Sequence, residues 1–199
     1  MAAKPLHAGG VRPQRIPSAN KDGPGPRMPN PPSLVEYKNL RFLIFDAPSD
    51  RTLDLYWKEL EKQRVTDVVR VCDPTYDKKT LEAKGVAVHD WPFPDGDPPP
   101  APVVAEFLNL VNSKFGKEKN GTSAESAVDN KTTIGVHCVA GLGRAPVLVT
   151  MALIEAGMAP LDAVIYVRER RRGAINARQL KYVENYKRRS RGDKGCIIS

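Results

Sequence analysis

Apolar residues along the chain switch between two periods. Residues 33–37 and 41–45 are short β-type runs separated by Lys38, Asn39 and Leu40, which predicts a hairpin at the edge of a sheet. From Thr52 to Gln63 the period lengthens: Leu53, Tyr56, Trp57 and Leu60 fall on one helical face, with Ser49 or Asp50 placed to cap it. A strand is predicted over Thr66–Cys72, a short helix over Tyr76–Lys84 ended by Gly85, and a strand over Val86–His89. Asp90–Pro102 is too rich in proline for a helix or a central strand. Helix returns over Pro102–Phe115, with Val103, Val104, Phe107, Leu108 and Val111 on one stripe. A β-type run over Thr132–Val136 leads through a glycine-bearing loop into an apolar helix, Ala145–Ala156, ended by Gly157. Two amphipathic helices, Leu161–Arg171 and Asn176–Arg189, follow on either side of Gly173. Alternation of this kind predicts an α/β domain, a central mixed or parallel sheet flanked by helices.

Composition separates this domain, residues 34–187, from its flanks. Residues 1–33 are rich in Pro and Gly and lack apolar periodicity, so they are expected to form a disordered arm. Ala2 stands where N-myristoylation needs glycine. Residues 116–131 are polar and read as a surface loop insertion. Residues 188–199 form a polybasic tail ending in Cys196-Ile197-Ile198-Ser199. Three cysteines are too few for a disulfide framework and suit a reducing compartment. No signal-peptide apolar region and no run long enough to span a membrane is present. No His, Cys or carboxylate spacing suggests a metal site, and no cofactor is implied.

The chemistry concentrates in His137-Cys138-Val139-Ala140-Gly141-Leu142-Gly143-Arg144. A loop between a strand and a helix N-terminus directs peptide N–H groups and partial positive charge at one point, an anion site in which a thiolate is stabilised. Arg144 adds a planar two-pronged donor suited to phosphate. Cys138 is thus expected to be a nucleophile, Val139 to Gly143 a phosphate cradle and Arg144 a clamp. A buried core cysteine and a persulfide-forming sulfurtransferase are the competing readings. A phosphoryl-transfer nucleophile needs an acid for its leaving group. Trp91-Pro92-Phe93-Pro94-Asp95-Gly96-Asp97 offers one on a stiff loop. Asp90, Asp95 and Asp97 compete, and Asp95, at the turn before Gly96, ranks first. His137 is expected to bond within the loop and tune the thiolate. Gln179 is expected to face solvent, with orienting water as the alternative.

The motif from His137 to Arg144 resembles the signature of the cysteine-dependent protein tyrosine phosphatases. Tyr37-Lys38-Asn39-Leu40-Arg41-Phe42-Leu43-Ile44, Val69-Arg70-Val71-Cys72, Pro74-Thr75-Tyr76-Asp77, Trp91-Pro92-Phe93, His137 to Val149 and Arg171-Arg172-Gly173-Ala174 narrow the likeness. Together they resemble the phosphatases of regenerating liver, the prenylated type IVA, dual-specificity-like group. The resemblance runs from about Leu34 to about Tyr186 and resumes at Cys196. It implies a dual-specificity-like phosphatase fold with Cys138 as nucleophile, Arg144 as phosphate binder and Asp95 as general acid. It also implies a reversible Cys72–Cys138 disulfide, with a buried core thiol as the other reading of Cys72. Pro94 departs from the pattern, since relatives commonly carry a second Asp there. Ala145 stands where most of the superfamily has Ser or Thr, and a missing hydroxyl predicts slow breakdown of a phosphocysteine.

Formal net charge is +8. Lys187–Lys194 carries five basic residues beside a Cys-a-a-X match whose terminal Ser favours farnesyl on Cys196. A lipid plus a basic patch makes a two-signal anchor, so an anionic membrane is expected as the partner rather than nucleic acid, for which no motif is present. The expected location is the cytoplasmic face of the plasma membrane or endomembranes, with the unprenylated protein cytoplasmic. Expected substrates are phosphoproteins or phosphoinositides. The resemblance adds a second class of function, binding of CBS-domain magnesium transporters through an acidic loop in the anion pocket. Self-association is left open.

Overall fold

The computed structural model describes residues 28, 30–116 and 132–189. The arm up to residue 27, residues 117–131 of the predicted insertion, and residues 190–199 with Cys196 lie outside the described residues.

The elements run in the order β1 (Ser33–Tyr37), β2 (Leu40–Asp46), α1 (Leu53–Lys62), β3 (Val65–Arg70), α2 (Lys79–Glu82), β4 (Ala87–Asp90), α3 (Ala101–Phe115), β5 (Thr133–Cys138), α4 (Arg144–Glu155), α5 (Pro160–Arg170) and α6 (Ala177–Glu184). The five strands form one sheet in the order β1-β2-β5-β3-β4. β1 pairs antiparallel with β2 as an edge hairpin, and the remaining pairs are parallel. The sheet is therefore mixed, as the alternation of periods predicts.

Side chains alternate across the sheet because successive residues of a strand point to opposite faces. Leu43, Phe45, Val65 and Val68 pack with Leu53, Tyr56 and Leu60 of α1. Phe42, Ile44, Val69, Ile134 and Val136 pack with α3, α4, α5 and α6. Helix α4 is buried from Arg144 to Ile154, which is why its sequence is apolar all round. Each of its large apolar side chains contributes about 1.5–3 kcal/mol by leaving water.

The four parallel strands all end at one edge of the sheet. That edge presents the end of β2 at Asp46, Cys138 at the end of β5, Cys72 just beyond β3 and the Trp91–Asp97 loop after β4. Ligand sites in open α/β sheets form at this edge.

Several elements differ from expectation. α2 is four residues long; Tyr76 is not its first turn but a buried side chain under the sheet. α6 stops at Glu184, and the chain then folds back so that Tyr186 Oη and Arg189 N both donate to Glu155 Oε1. Neither Ser49 nor Asp50 caps α1 with its side chain. The Ser49 carbonyl takes the Thr52 and Leu53 N–H groups, while Asp50 Oδ1 accepts from Asp77 N at 3.0 Å. At the start of the domain, Met28 packs against the α1 side of the core, and the Pro31 carbonyl accepts from Arg171 at 2.7 Å.

Candidate active site

Cys138 closes β5 and Arg144 opens α4. The carbonyls of the four residues after Cys138 are all held from outside the loop. Val139 O accepts from Ala47 N at 2.9 Å and Leu142 O from Ile175 N at 2.7 Å. Ala140 O accepts from Arg171 Nη2 at 3.2 Å and Gly141 O from Arg171 Nε at 3.1 Å. No peptide among the described residues is cis, and a trans peptide points its N–H opposite to its carbonyl. The N–H groups of Ala140, Gly141, Leu142 and Gly143 therefore turn the other way. There, Cys138 and the loop line a cavity of about 260 Å³ that also touches Asp95, Gly96 and Asn176. Clefts of about 460 and 380 Å³ beside α3 and the hairpin are larger, but neither is lined by a cysteine or by the loop.

Gly141 is required by this geometry. Its φ is +66°, and a Cβ there would lie 2.5 Å from the Phe45 carbonyl oxygen and 2.6 Å from Arg171 Nη2. Only a residue without a side chain lets the loop settle this closely onto the end of β2.

Cys138 and Cys72 are both buried free thiols within the same cluster of core residues. Burial pushes the Cys72 thiol up to about 11, against the opposing pull of Arg144, and the nearby Cys138 pushes it further. Cys72 is thus a neutral thiol next to the loop. His137 is fully buried, stacked between Phe45 and Tyr76. Its Nε2 is 3.0 Å from the Tyr76 hydroxyl, a partner outside the loop, and the Cys138 backbone also acts on the ring as a hydrogen-bonding neighbour. Burial holds its pKa down at about 3, and the ring is neutral at physiological pH. Its Nδ1 has no hydrogen-bond partner of normal geometry.

The three competing aspartates are sorted by their partners. Asp90 makes a two-pronged pair with Arg70, at 2.5 and 2.9 Å. Asp97 pairs with Arg178. Asp95 alone of the three reaches the loop, with Oδ1 3.1 Å from Arg144 Nε. That contact lies off the N–H axis, so it is charge against charge and the Nε–H keeps no hydrogen-bond partner. Arg144 is itself buried and donates through Nη1 to the Phe93 carbonyl at 3.0 Å. The proline-rich loop is thus folded over the cavity and held by the arginine beneath it.

Gln179 does not face solvent. It is fully buried, its Oε1 accepting from Asn176 N and its Nε2 donating to the Asp97 carbonyl, both at 3.2 Å. Asn176 Oδ1 in turn accepts from Gln179 N. This capping box opens α6, and Asn176 Nδ2 also donates to the Gly96 carbonyl at 3.1 Å. One helix N-terminus therefore grips the two residues that follow Asp95. The Asn-x-x-Gln spacing carries the signal; counting α6 from Asn176 as an ordinary amphipathic helix hides it. Arg171 was equally hidden, because inside an arginine run nothing local distinguishes a buried member.

Among the described residues no group of His, Cys, Asp or Glu could hold a metal ion, and no helix is long and apolar enough to cross a membrane.

The comparisons with known proteins agree with this geometry. The protein-tyrosine phosphatase family model matches residues 50–186. A probable protein tyrosine phosphatase type IVA A of Dictyostelium discoideum is 53% identical over 86% of this chain and 95% of its own. Human protein tyrosine phosphatase type IVA 3 is 49% identical over 83% and 90%. The solved structure of a putative protein tyrosine phosphatase from Leishmania major superposes with a TM-score of 0.69 at 42% identity, covering 79% of this chain and 99% of that one. With a cysteine and an arginine bracketing a loop of inward N–H groups, the chain belongs to the protein tyrosine phosphatases, in their type IVA branch.

Proposed function

We propose that this phosphatase works slowly through a phosphocysteine on Cys138. The observation that carries the reading is the set of four carbonyls pinned outward around Cys138, which leaves four N–H donors and the unpartnered Nε–H of Arg144 for a phosphate. The Cys138 thiolate attacks phosphorus as the ester P–O bond breaks, and the leaving oxygen takes a proton from Asp95. Water then attacks phosphorus, Asp95 takes its proton, and the S–P bond breaks. The cradle and Arg144 stabilise the charge on the equatorial oxygens throughout. A bound phosphate competes with Asp95 for Arg144 and frees the carboxyl to face the leaving oxygen. The test is intact-mass detection of a phosphorylated protein after mixing with para-nitrophenyl phosphate. The adduct should map to Cys138 and be absent from Cys138→Ser; an adduct on another residue would refute the assignment.

Breakdown of the intermediate is the slow step in this reading. Ala145 is completely buried at the start of α4 and has no hydroxyl to donate a hydrogen bond to the departing sulfur. The same residue favours a second reading, in which a persistent phosphocysteine gates binding of an acidic loop from a CBS-domain magnesium transporter. Assaying turnover and transporter binding separately in Asp95→Ala distinguishes them: binding that survives lost turnover supports the second.

Cys72 is proposed as a redox partner of Cys138. Mild peroxide should give an intramolecular crosslink that a thiol reverses, and a native protein that yields none removes the proposal. Farnesylation at Cys196 with the basic tail is proposed to hold the protein on an anionic membrane. Membrane association that persists in Cys196→Ser would exclude it. Tyr186, Arg188 and Arg189 dock on Glu155 at the far end of α4, about 18 Å along the helix from the loop. Phosphoproteins and phosphoinositides are the proposed substrate classes.

A further inference from the structure

Arg171 is a buried arginine, only 4% exposed, in the turn between α5 and α6. It belongs to neither helix: its φ and ψ are −129° and 82°. Its guanidinium makes three hydrogen bonds, all to main-chain carbonyls. Nε donates to Gly141 O at 3.1 Å, Nη2 to Ala140 O at 3.2 Å and Nη1 to Pro31 O at 2.7 Å. Burial pulls its pKa down, and the negative groups Asp46 and Cys138 act against that. An arginine stays charged in such a site. Tyr56 Oη donates to Asp46 Oδ1 at 2.5 Å and so holds the countercharge in place beneath the loop.

Burying a guanidinium is costly unless its donors are used. Here two of them are spent on adjacent carbonyls of one loop. Those carbonyls belong to the peptides whose N–H groups are on Gly141 and Leu142. In a trans peptide, fixing the carbonyl fixes the N–H. The rigid fork matches two acceptors at once, whereas a lysine ammonium is a flexible point charge.

We propose that Arg171 is a positioning residue of the phosphate loop. By holding the Ala140 and Gly141 carbonyls it keeps the next two N–H groups aimed at the oxyanion, and its charge favours the Cys138 thiolate. Arg171 also ties the Pro31 end of the N-terminal arm to the same loop. This inference rests on the proposed role of the loop as a phosphate cradle.

The full-length protein tests it through alkylation of Cys138 by iodoacetamide, followed by peptide mass. Two quantities are read: the inorganic phosphate concentration that half-protects Cys138, and the pH of half-maximal alkylation. Arg171→Lys keeps the charge and loses the fork. Its half-protecting phosphate concentration should rise about tenfold, while its alkylation pH stays at the parental value. Arg171→Ala should shift both, and added guanidinium ion should restore phosphate protection while ammonium does not. Parental protection in an Arg171→Lys protein that melts with the parent would overturn the proposal. Should Arg171→Ala fail to fold, Arg171→Lys decides alone. If phosphate does not protect the parent, the cradle itself is wrong, a different result from an indifferent Arg171.

Discussion

Gly141→Ala puts the close approach of loop to sheet to a quantitative test. Two costs arise, and they can be measured apart. The first is backbone strain at φ +66°, about 1 kcal/mol for an alanine in left-handed conformation. The second is steric: the new methyl would sit 2.5 Å from Phe45 O and 2.6 Å from Arg171 Nη2. The arginine could swing aside, but Phe45 O belongs to a fully buried strand residue and cannot. The loop must lift, which stretches its two bonds to Arg171. Losing a charged hydrogen bond costs about 1.5–3 kcal/mol, so with the strain the total should reach about 2.5–4 kcal/mol. For a domain of this size, that is a melting temperature lower by roughly 10 °C. Gly85→Ala is the control. Its φ is +83°, yet nothing lies within 4 Å of the added carbon, so it bears the strain alone and should lose only about 1 kcal/mol. Denaturant melts of parent and both variants give the energies, and phosphate protection of Cys138 reports on the cradle. Protection should weaken in Gly141→Ala and stay unchanged in Gly85→Ala. A Gly141→Ala protein no less stable than Gly85→Ala, with parental phosphate binding, would refute the pinned-loop argument.

Other perturbations address chemistry and pH. Burial first of all lowers His137 from 6.5 to about 3, so below 6.5 the unfolded chain takes up a proton that the folded one refuses. Stability present above that pH is lost as pH falls toward 3, by about 2 kcal/mol at roughly pH 5. In His137→Gln the difference in stability between about pH 7 and 5 should shrink by that amount; an unchanged slope means another group is responsible. Ala145→Ser should raise steady-state turnover and shorten the lifetime of the phosphocysteine, and equal lifetimes by intact mass would count against slow breakdown. Asp95→Asn should slow phosphorylation of Cys138 by about a hundredfold or more with alkyl phosphates, but far less with para-nitrophenyl phosphate, whose leaving group needs no proton. Equal losses on both would point to a positioning role.

The elements were legible where a pattern is local. Leu53, Tyr56 and Leu60 recur at helical spacing and become the buried face of α1. The unbroken apolar run after Arg144 becomes the buried helix α4. The readings that failed depended on distant partners. Gln179 looks like any polar helical residue, and it is buried because Asp97, from a loop more than eighty positions earlier, folds onto it. Tyr76 leaves its predicted helix because His137, on β5, offers its hydroxyl a hydrogen-bond partner in the core.

By itself the sequence determined the order of strands and helices and singled out Cys138 and Arg144 as the proposed nucleophile and clamp. Cysteine chemistry, guanidinium shape and hydrophobic period belong to residues taken singly or in short runs. It left three aspartates in competition and gave no sign of which arginine in a run of basic residues is buried. Tertiary structure decided both, by bringing the ends of β2, β5, β3 and β4 to one edge. There Arg70 and Arg178 engage Asp90 and Asp97, and Asp95 meets Arg144. Arg171 reaches two loop carbonyls thirty positions away. Such contacts act over a few ångströms in space, and no short stretch of sequence contains them.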